Sequence, residues 1–407
     1  MNRSVTALFI LFLLATSFPA EAQDSQLKYT TNLTFKSDDG QFKVKLGGRM
    51  HNQYTWWSAD SDYETAGANP EDGAIFRRAR LYMSGTIYGN IDFKAQYDFA
   101  GGDADFKDLY MEMRDIPRAG AIRVGQFKEP FGLEAQTSSN YSTFVERSSG
   151  TVAIGPGRST GIMAHDVRDD EKLTWWLGAY RPSDNDGDAV GDNPFSFTGR
   201  ITYLPWESED RENLLHLGFA ASIRNPDGDT LSYTADPEAR PAVDFLDTGS
   251  QAVEKVTLLG FEAATVHGPF SAQAEYMIAQ NEGAGGAEDF DVSQFYALVS
   301  YFLTGESRQY SRKKAAFSRV SPNANFTGSD EGIGAWEAAL RYSMTDFNDS
   351  SITGGEMDQI TLGLNWYLNP NVRLMTNVLL VDTSDIAGNA GADGSAEAFS
   401  MRFQIDF

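Results

Sequence analysis

The chain has 407 residues, 33 Lys and Arg against 57 Asp and Glu, a formal charge of −24, and no cysteine. That acid excess speaks against a nucleic-acid partner, and the missing cysteines leave no disulfide framework to staple an exported fold. The acids are clustered, at Asp60, Asp62, Glu64, Glu71 and Asp72 and again at Asp184, Asp186, Asp188 and Asp192, so net charge says little about any enclosed interior.

Arg3 precedes an apolar stretch, Val5 to Leu14, and Ala20-Glu21-Ala22 has the small-x-small form that signal peptidase accepts. The stretch is shorter than the roughly 20 apolar residues of a spanning helix. Residues 1–22 therefore read as a cleaved signal peptide, residues 23–41 as a short periplasmic segment, and 42–407 as one barrel domain.

From Phe42 onward apolar and polar residues alternate. Phe42, Val44, Leu46, Gly48 and Met50 alternate with Lys43, Lys45, Gly47, Arg49 and His51. The same holds for Ala79–Ile87 against Arg78, Arg80, Tyr82, Ser84 and Thr86, for Ile91–Phe99 against Asp92, Lys94, Gln96 and Asp98, and for Leu109–Met113 against Asp108, Tyr110, Glu112 and Arg114. A period of two makes each segment a strand with one apolar face. Further strands are expected near 121–125, 160–165, 173–180, 197–204, 215–224, 255–266, 270–279, 294–302, 336–342, 360–367 and 372–380. With the C-terminal strand the total is about 16.

Alternation alone also suits a soluble sandwich; the number, length and regularity of the strands favour a barrel. In a bilayer every backbone N–H and C=O must be paired internally, so strands span only as a closed barrel. Apolar side chains then face lipid and polar ones line the lumen. Gly89-Asn90, Gly268-Pro269 and Asn369-Pro370-Asn371 read as tight turns, whereas 58–74, 182–194 and 225–253 are long and acidic. One link breaks the pattern: 305–334 is long, carries Arg308, Arg312, Lys313, Lys314 and Arg319, and falls on the short-turn side. It either folds into the lumen or stands as a solvated loop. At the end, Phe399, Met401, Phe403, Ile405 and Phe407 alternate with polar residues and the chain stops on an aromatic. That resembles the closing strand of outer-membrane barrels, which the barrel assembly machinery reads through the terminal Phe407.

Several stretches resemble the phosphate-selective porin O/P family: Leu46-Gly47-Gly48-Arg49, Phe76-Arg77-Arg78-Ala79-Arg80, Gly125 to Glu134, Thr137-Ser138-Ser139, Glu146-Arg147-Ser148, Gly268-Pro269-Phe270, Ser300 to Arg308, Gly334-Ala335-Trp336-Glu337 and Leu362 to Tyr367. Their order and spacing carry the likeness from about Phe42 to Phe407. The resemblance implies an all-β, transmembrane antiparallel β-barrel of 16 strands, a homotrimer in outer-membrane lipid, with an inward-folded constriction loop at Phe127–Ser159. It also implies an anion held at the narrowest point by two arginines and a lysine. Arg49 and Arg147 match the arginines, and Arg77 and Arg78 match arginines above the site. The lysine position is Ala135, and of an arginine run in 225–253 only Arg240 remains.

Read from the registers alone, Lys43, Lys45, Arg49, Arg78, Arg80, Lys94 and Arg123 fall on the polar face of early strands. Rings of Arg and Lys in a low-dielectric tube suit anions. Asp92, Asp98, Asp108 and Glu112 share that face and could neutralise them, which would give a general diffusion porin of weak selectivity. A barrel enzyme is a third reading, but Gly157-Arg158-Ser159-Thr160-Gly161 ends a loop and starts a strand, not the strand-to-helix turn that G-x-S-x-G needs. Asp184, Asp186 and Asp188 begin like a calcium loop, yet Ala189 stands where the turn glycine belongs. The expectation is a passive porin for small anionic or polar solutes, without cofactor or metal.

Overall fold

The computed structural model describes residues 26–29, 32–184, 186–189, 194–328 and 332–407. The expected signal peptide lies outside the described residues. Sixteen antiparallel strands form one ring: β1 (Lys43–Ala59), β2 (Gly73–Ile87), β3 (Ile91–Asp98), β4 (Asp105–Ile116), β5 (Gly120–Lys128), β6 (Arg158–Arg168), β7 (Leu173–Pro182) and β8 (Phe195–Glu207). The ring continues with β9 (Leu214–Asn225), β10 (Gln251–His267), β11 (Phe270–Gly283), β12 (Phe290–Phe302), β13 (Ala335–Asp346), β14 (Glu356–Asn369), β15 (Val372–Ser384) and β16 (Gly394–Asp406). Each pairs with its chain neighbours, and β16 closes onto β1 from Ala396↔Ala59 to Asp406↔Arg49. Within segment 23–41, a hairpin of Gln26–Tyr29 and Leu33–Lys36 lies against the start of β1.

The C-terminus completes the seam. The Phe407 N–H donates to the Gly48 carbonyl at 3.0 Å, and the Gly48 N–H returns a 2.8 Å bond to the Phe407 carbonyl. A Cβ on Gly48 would stand 2.7 Å from the Arg80 carbonyl and 2.8 Å from the Phe407 ring. Only a residue without a side chain lets the last strand end there. On the outer face Tyr54 and Trp56 of β1 meet Phe403 and Phe399 of β16, with ring centroids 6.2 and 5.8 Å apart, an aromatic patch on the lipid face.

Tight turns join the strands on one side, as at Tyr88-Gly89, both with positive φ, the backbone that two-residue hairpin turns need. The opposite side carries the long loops. Among the described residues, the β5–β6 loop (129–157), the β9–β10 loop (226–250) and the long β12–β13 link on the short-turn side (303–328 and 332–334) enter the barrel. In that link the Arg308 guanidinium reaches Gln273 on β11 at 3.0 Å, and the Phe317 N–H donates to Thr137 of the β5–β6 loop at 3.3 Å. The link is a floor beneath the constriction loop, not a solvated excursion.

This filling overturns the simple expectation that inward faces are polar. Val256, Leu258, Met277, Ala279, Val292, Leu379, Val381, Ala396 and Ala398 point inward and are buried against Tyr233, Phe245 and Leu246 of the β9–β10 loop, with Tyr63 and Phe131. A polar-in, apolar-out rule holds where water fills the lumen; here a folded loop replaces the water, and its own apolar side chains need partners.

Candidate pore constriction

The β5–β6 loop leaves the wall at Glu129, turns through two short helices at Leu133–Gln136 and Ser149–Ala153, and rejoins it at Arg158. Carboxylates fix its course. Glu129 is held by Arg224 on β9 at 2.8 Å and by the Ser159, Ser196 and Thr198 hydroxyls. Glu275 on β11 accepts the Leu133 and Glu134 N–H groups at 2.8 and 2.6 Å. Arg341 on β13 lies 3.1 Å from Glu134 and also engages Glu238 of the β9–β10 loop. At the far end Glu146 receives Arg77 at 2.9 Å, Arg402 at 2.7 Å and Arg78 at 3.7 Å.

The convergence of Arg77 and Arg78 has a local cause. The β1–β2 ladder runs His51↔Arg78 and then Asn52↔Phe76, so Arg77 is an extra residue in β2. Such a bulge re-aims side chains, and two adjacent arginines reach the same carboxylate where strict alternation would send one to lipid.

Arg49 donates to the Ser138 and Ser139 hydroxyls at 3.3 and 3.0 Å. Arg147 donates to the Glu134 and Thr137 carbonyls at 2.9 and 2.7 Å. The two therefore grip one stretch, 134–139, from the wall and from the loop itself. Neither has a carboxylate within ion-pair distance among the described residues. The other expected lumen cations divide. Arg80 pairs with Asp98 at 2.7 Å and Lys94 with Asp108 at 2.5 Å, while Arg77 and Arg78 serve Glu146. Lys43 and Lys45 stand at the short-turn end of β1, away from the constriction loop, beside Lys314 of the floor.

Sequence reasoning passed over the loop's carboxylate anchors, Glu129, Glu134 and Glu146, and their arginines on distant strands. Glu146-Arg147-Ser148 was visible as a motif, but which side chain faces which wall is a tertiary fact. Ser138 and Ser139 had only their motif membership as a signal. His51 and His216 face inward and meet segments folded into the barrel: His51 with Asn140 at 3.3 Å, His216 with the Tyr310 hydroxyl at 2.7 Å. Among the described residues no cluster of His, Cys, Asp or Glu could hold a metal.

A closed sixteen-stranded barrel with loops folded into its lumen is the layout of a porin, and residues 44–407 match the model of the phosphate-selective porin O and P family. The chain belongs to that family. Porin O of Pseudomonas aeruginosa is 27% identical over 97% of this chain and 95% of its own length. The anion-selective porin from Comamonas acidovorans shares the fold with a TM-score of 0.53, at 13% identity over 90% of this chain and 100% of that one. OmpT of Vibrio cholerae in its trimer form gives a TM-score of 0.53 at 11% identity, covering 90% of this chain and 99% of that one. This outer-membrane porin is accordingly a channel and not an enzyme.

Proposed function

We propose that this porin passes small hydrophilic solutes by diffusion with a preference for anions such as phosphate, and that Arg49 and Arg147 set that preference. The observation that carries the reading is that neither has a carboxylate within ion-pair distance among the described residues, while both hold loop residues 134–139, one from the wall and one from the loop itself. In a narrow lumen with low-dielectric walls such charges act on solutes with little screening, and a guanidinium fork matches an oxyanion. Ala135 removes one cation from the site that the resemblance implies, which lowers the expected affinity for phosphate. A general diffusion porin is the second reading, favoured by the pairing of Arg80 with Asp98 and of Lys94 with Asp108.

By likeness to the family and to the trimeric OmpT we further propose a homotrimer, assembled through recognition of the strand ending at Phe407. The deciding measurement is the reversal potential of the refolded protein in a planar bilayer under a potassium chloride gradient, followed by phosphate titration. Anion selectivity that falls in Arg49→Ala supports the assignment. Unchanged selectivity in that variant would sink the role of Arg49, and a cation-selective wild type would leave the general diffusion reading.

A further inference from the structure

The β12–β13 link enters the barrel and then leaves it. At the rim Arg319 donates to the Pro370 carbonyl of the β14–β15 turn and pairs with Asp406. Val320 still packs inside, against Phe302, Ala335 and Tyr367. Phe326 lies outside: its ring meets that of Trp366 with centroids 4.9 Å apart at 74°. Trp366 projects outward, since its neighbours Asn365 and Tyr367 both reach Glu337 on the inner face. The foot of β14 is shaped for this passage. The β14–β15 ladder shifts register between Tyr367 and Asn369, which leaves Leu368 without a partner on β15. Its free carbonyl accepts the Phe326 N–H at 2.7 Å, and the Trp366 indole N–H donates to the Ile333 carbonyl at 2.8 Å. At Gly334, with φ +71°, a Cβ would stand 2.4 Å from the Tyr367 carbonyl, so only glycine lets the link rejoin β13 there.

What this outer arm presents is apolar. Phe326 is 42% exposed and Ile333 54%. They adjoin Trp336 and Trp366, cross-strand partners whose rings stack 5.1 Å apart. Leu303, 61% exposed, joins them through its N–H bond to the Trp336 carbonyl at 2.8 Å. Above the tryptophans the outward rows of β13 and β14 continue with Leu340, Leu364 and Leu362, exposed on the lipid face. The patch is therefore continuous with the lipid surface of the wall and ends it on the short-turn side. Indoles, with an apolar body and one polar N–H, settle at that level of a bilayer. In water the exposed faces of Phe326 and Ile333 would gain nothing from an arm folded along the wall; lipid covers them.

We propose that Phe326 and Ile333, backed by the Trp336–Trp366 pair, insert into the headgroup–acyl boundary of the periplasmic leaflet, and that this lipid contact tethers the floor beneath the constriction. The one link packs Phe317 beside Leu133 inside the lumen and offers Phe326 to lipid outside, with the Arg319–Asp406 pair at the rim between them. A pull on the outer arm is thus a pull on the floor. The tether involves no solute and stands or falls separately from the anion-channel reading.

The chain has no cysteine, so Ile333→Cys carries a single fluorescent label on the full-length barrel refolded into phosphatidylcholine vesicles. Lipid brominated near the glycerol end of its chains should quench that label about twofold, and lipid brominated at mid-chain less, as expected for a depth of about 5–10 Å. The same label at Asp39→Cys, on the exposed turn before β1, should respond to neither lipid. Quenching at Ile333→Cys by aqueous iodide alone would place the arm in water and overturn the anchor. Protection from iodide and bromine together would mean that a second copy covers the arm, and overturns it as well. The tether is read by proteolysis of the link in the same vesicles. Phe326→Ser should speed cleavage within 303–328 about threefold, the loss of a ring that reaches both Trp366 and lipid, while Phe326→Leu stays within about 1.5-fold of wild type. Cleavage of Phe326→Ser at the wild-type rate would overturn the tether even where bromine reaches the label.

Discussion

On the β8–β16 side of the lumen, Arg200 lies 2.6 Å from Glu262, Arg341 joins Glu134 and Glu238, and Arg402 lies 2.7 Å from Glu146; all three arginine side chains are fully buried. On the β1–β7 side, Arg49 and Lys128 meet only hydroxyls or a carbonyl, and the inward rows of β2, β3 and β4 are mostly half-exposed. The same residue types thus do two jobs in one barrel. Where the β5–β6 and β9–β10 loops and the floor fill the lumen, Arg200, Arg341 and Arg402 each have a fixed opposite, because removing one partner of a buried pair is costly, while Arg308 and Arg373 are held by neutral side-chain and backbone oxygens. Where the lumen stays open, a passing solute can be the partner. Counting lumen cations by strand register merges these two populations; only pairing separates them.

The comparison is most exposed to Glu146→Gln, which strips the packed side of its central anion. Arg402 would be left buried without a carboxylate, a loss of roughly 3–5 kcal/mol falling on the docking of the β5–β6 loop. Single-channel conductance should rise severalfold while the barrel keeps its folded electrophoretic mobility; unchanged conductance would mean that this charge does not hold the loop. Phe317→Ala tests the floor from below. Phe317 is buried beside Leu133, with the Arg308 guanidinium 3.5 Å from its ring centre, and its truncation should cost about 3 kcal/mol. The expected result is faster proteolysis of 303–334 in the refolded protein, with ion selectivity retained.

A smaller effect is expected in the β9–β10 loop. Burial pushes the Asp236 carboxyl up to about 6 against the pull of Arg240, and Glu146 and Asp244 push the same way as burial. The folded loop therefore binds a proton that the free carboxyl, at about 3.8, releases. Its stabilising contribution is present below pH 4 and lost as pH rises through about 6, a change of roughly 2–3 kcal/mol for a two-unit shift. Protease cleavage within 226–250 should accelerate between pH 4 and 7 in wild type and stay flat in Asp236→Asn.

Strand number and lipid face were legible because a closed barrel imposes alternation on every strand, and Phe42–Met50 or Ile91–Phe99 show it without interruption. The β5–β6 loop was legible from Gly, Pro and Ser between two strands and from its family likeness. The buried apolar patch inside β10–β16 was not, because Leu258-Leu259 reads as one more lipid-facing strand until the β9–β10 loop is known to cover its inner side. The floor was half-legible: its length and basicity on the wrong side marked it as unusual, but nothing in 305–334 says that Phe317 finds Leu133.

The finest test of the open side lies at its exit. Lys45 carries no carboxylate partner among the described residues and acts against Lys43 and Lys314, so the short-turn mouth is a second cluster of cations, set apart from the constriction loop. A unit charge 10 Å away in water is worth about 0.4 kcal/mol before screening, a factor of about two in local anion concentration. At 0.1 M salt the Debye length is about 10 Å and at 1 M about 3 Å. Lys45→Gln should therefore lower anion conductance by about 1.3–2-fold at 0.1 M potassium chloride or below and leave it unchanged at 1 M. A reduction that persists at 1 M would mean that Lys45 acts through the packing of the floor and not through its field. The mouth would then belong with the packed side of the lumen.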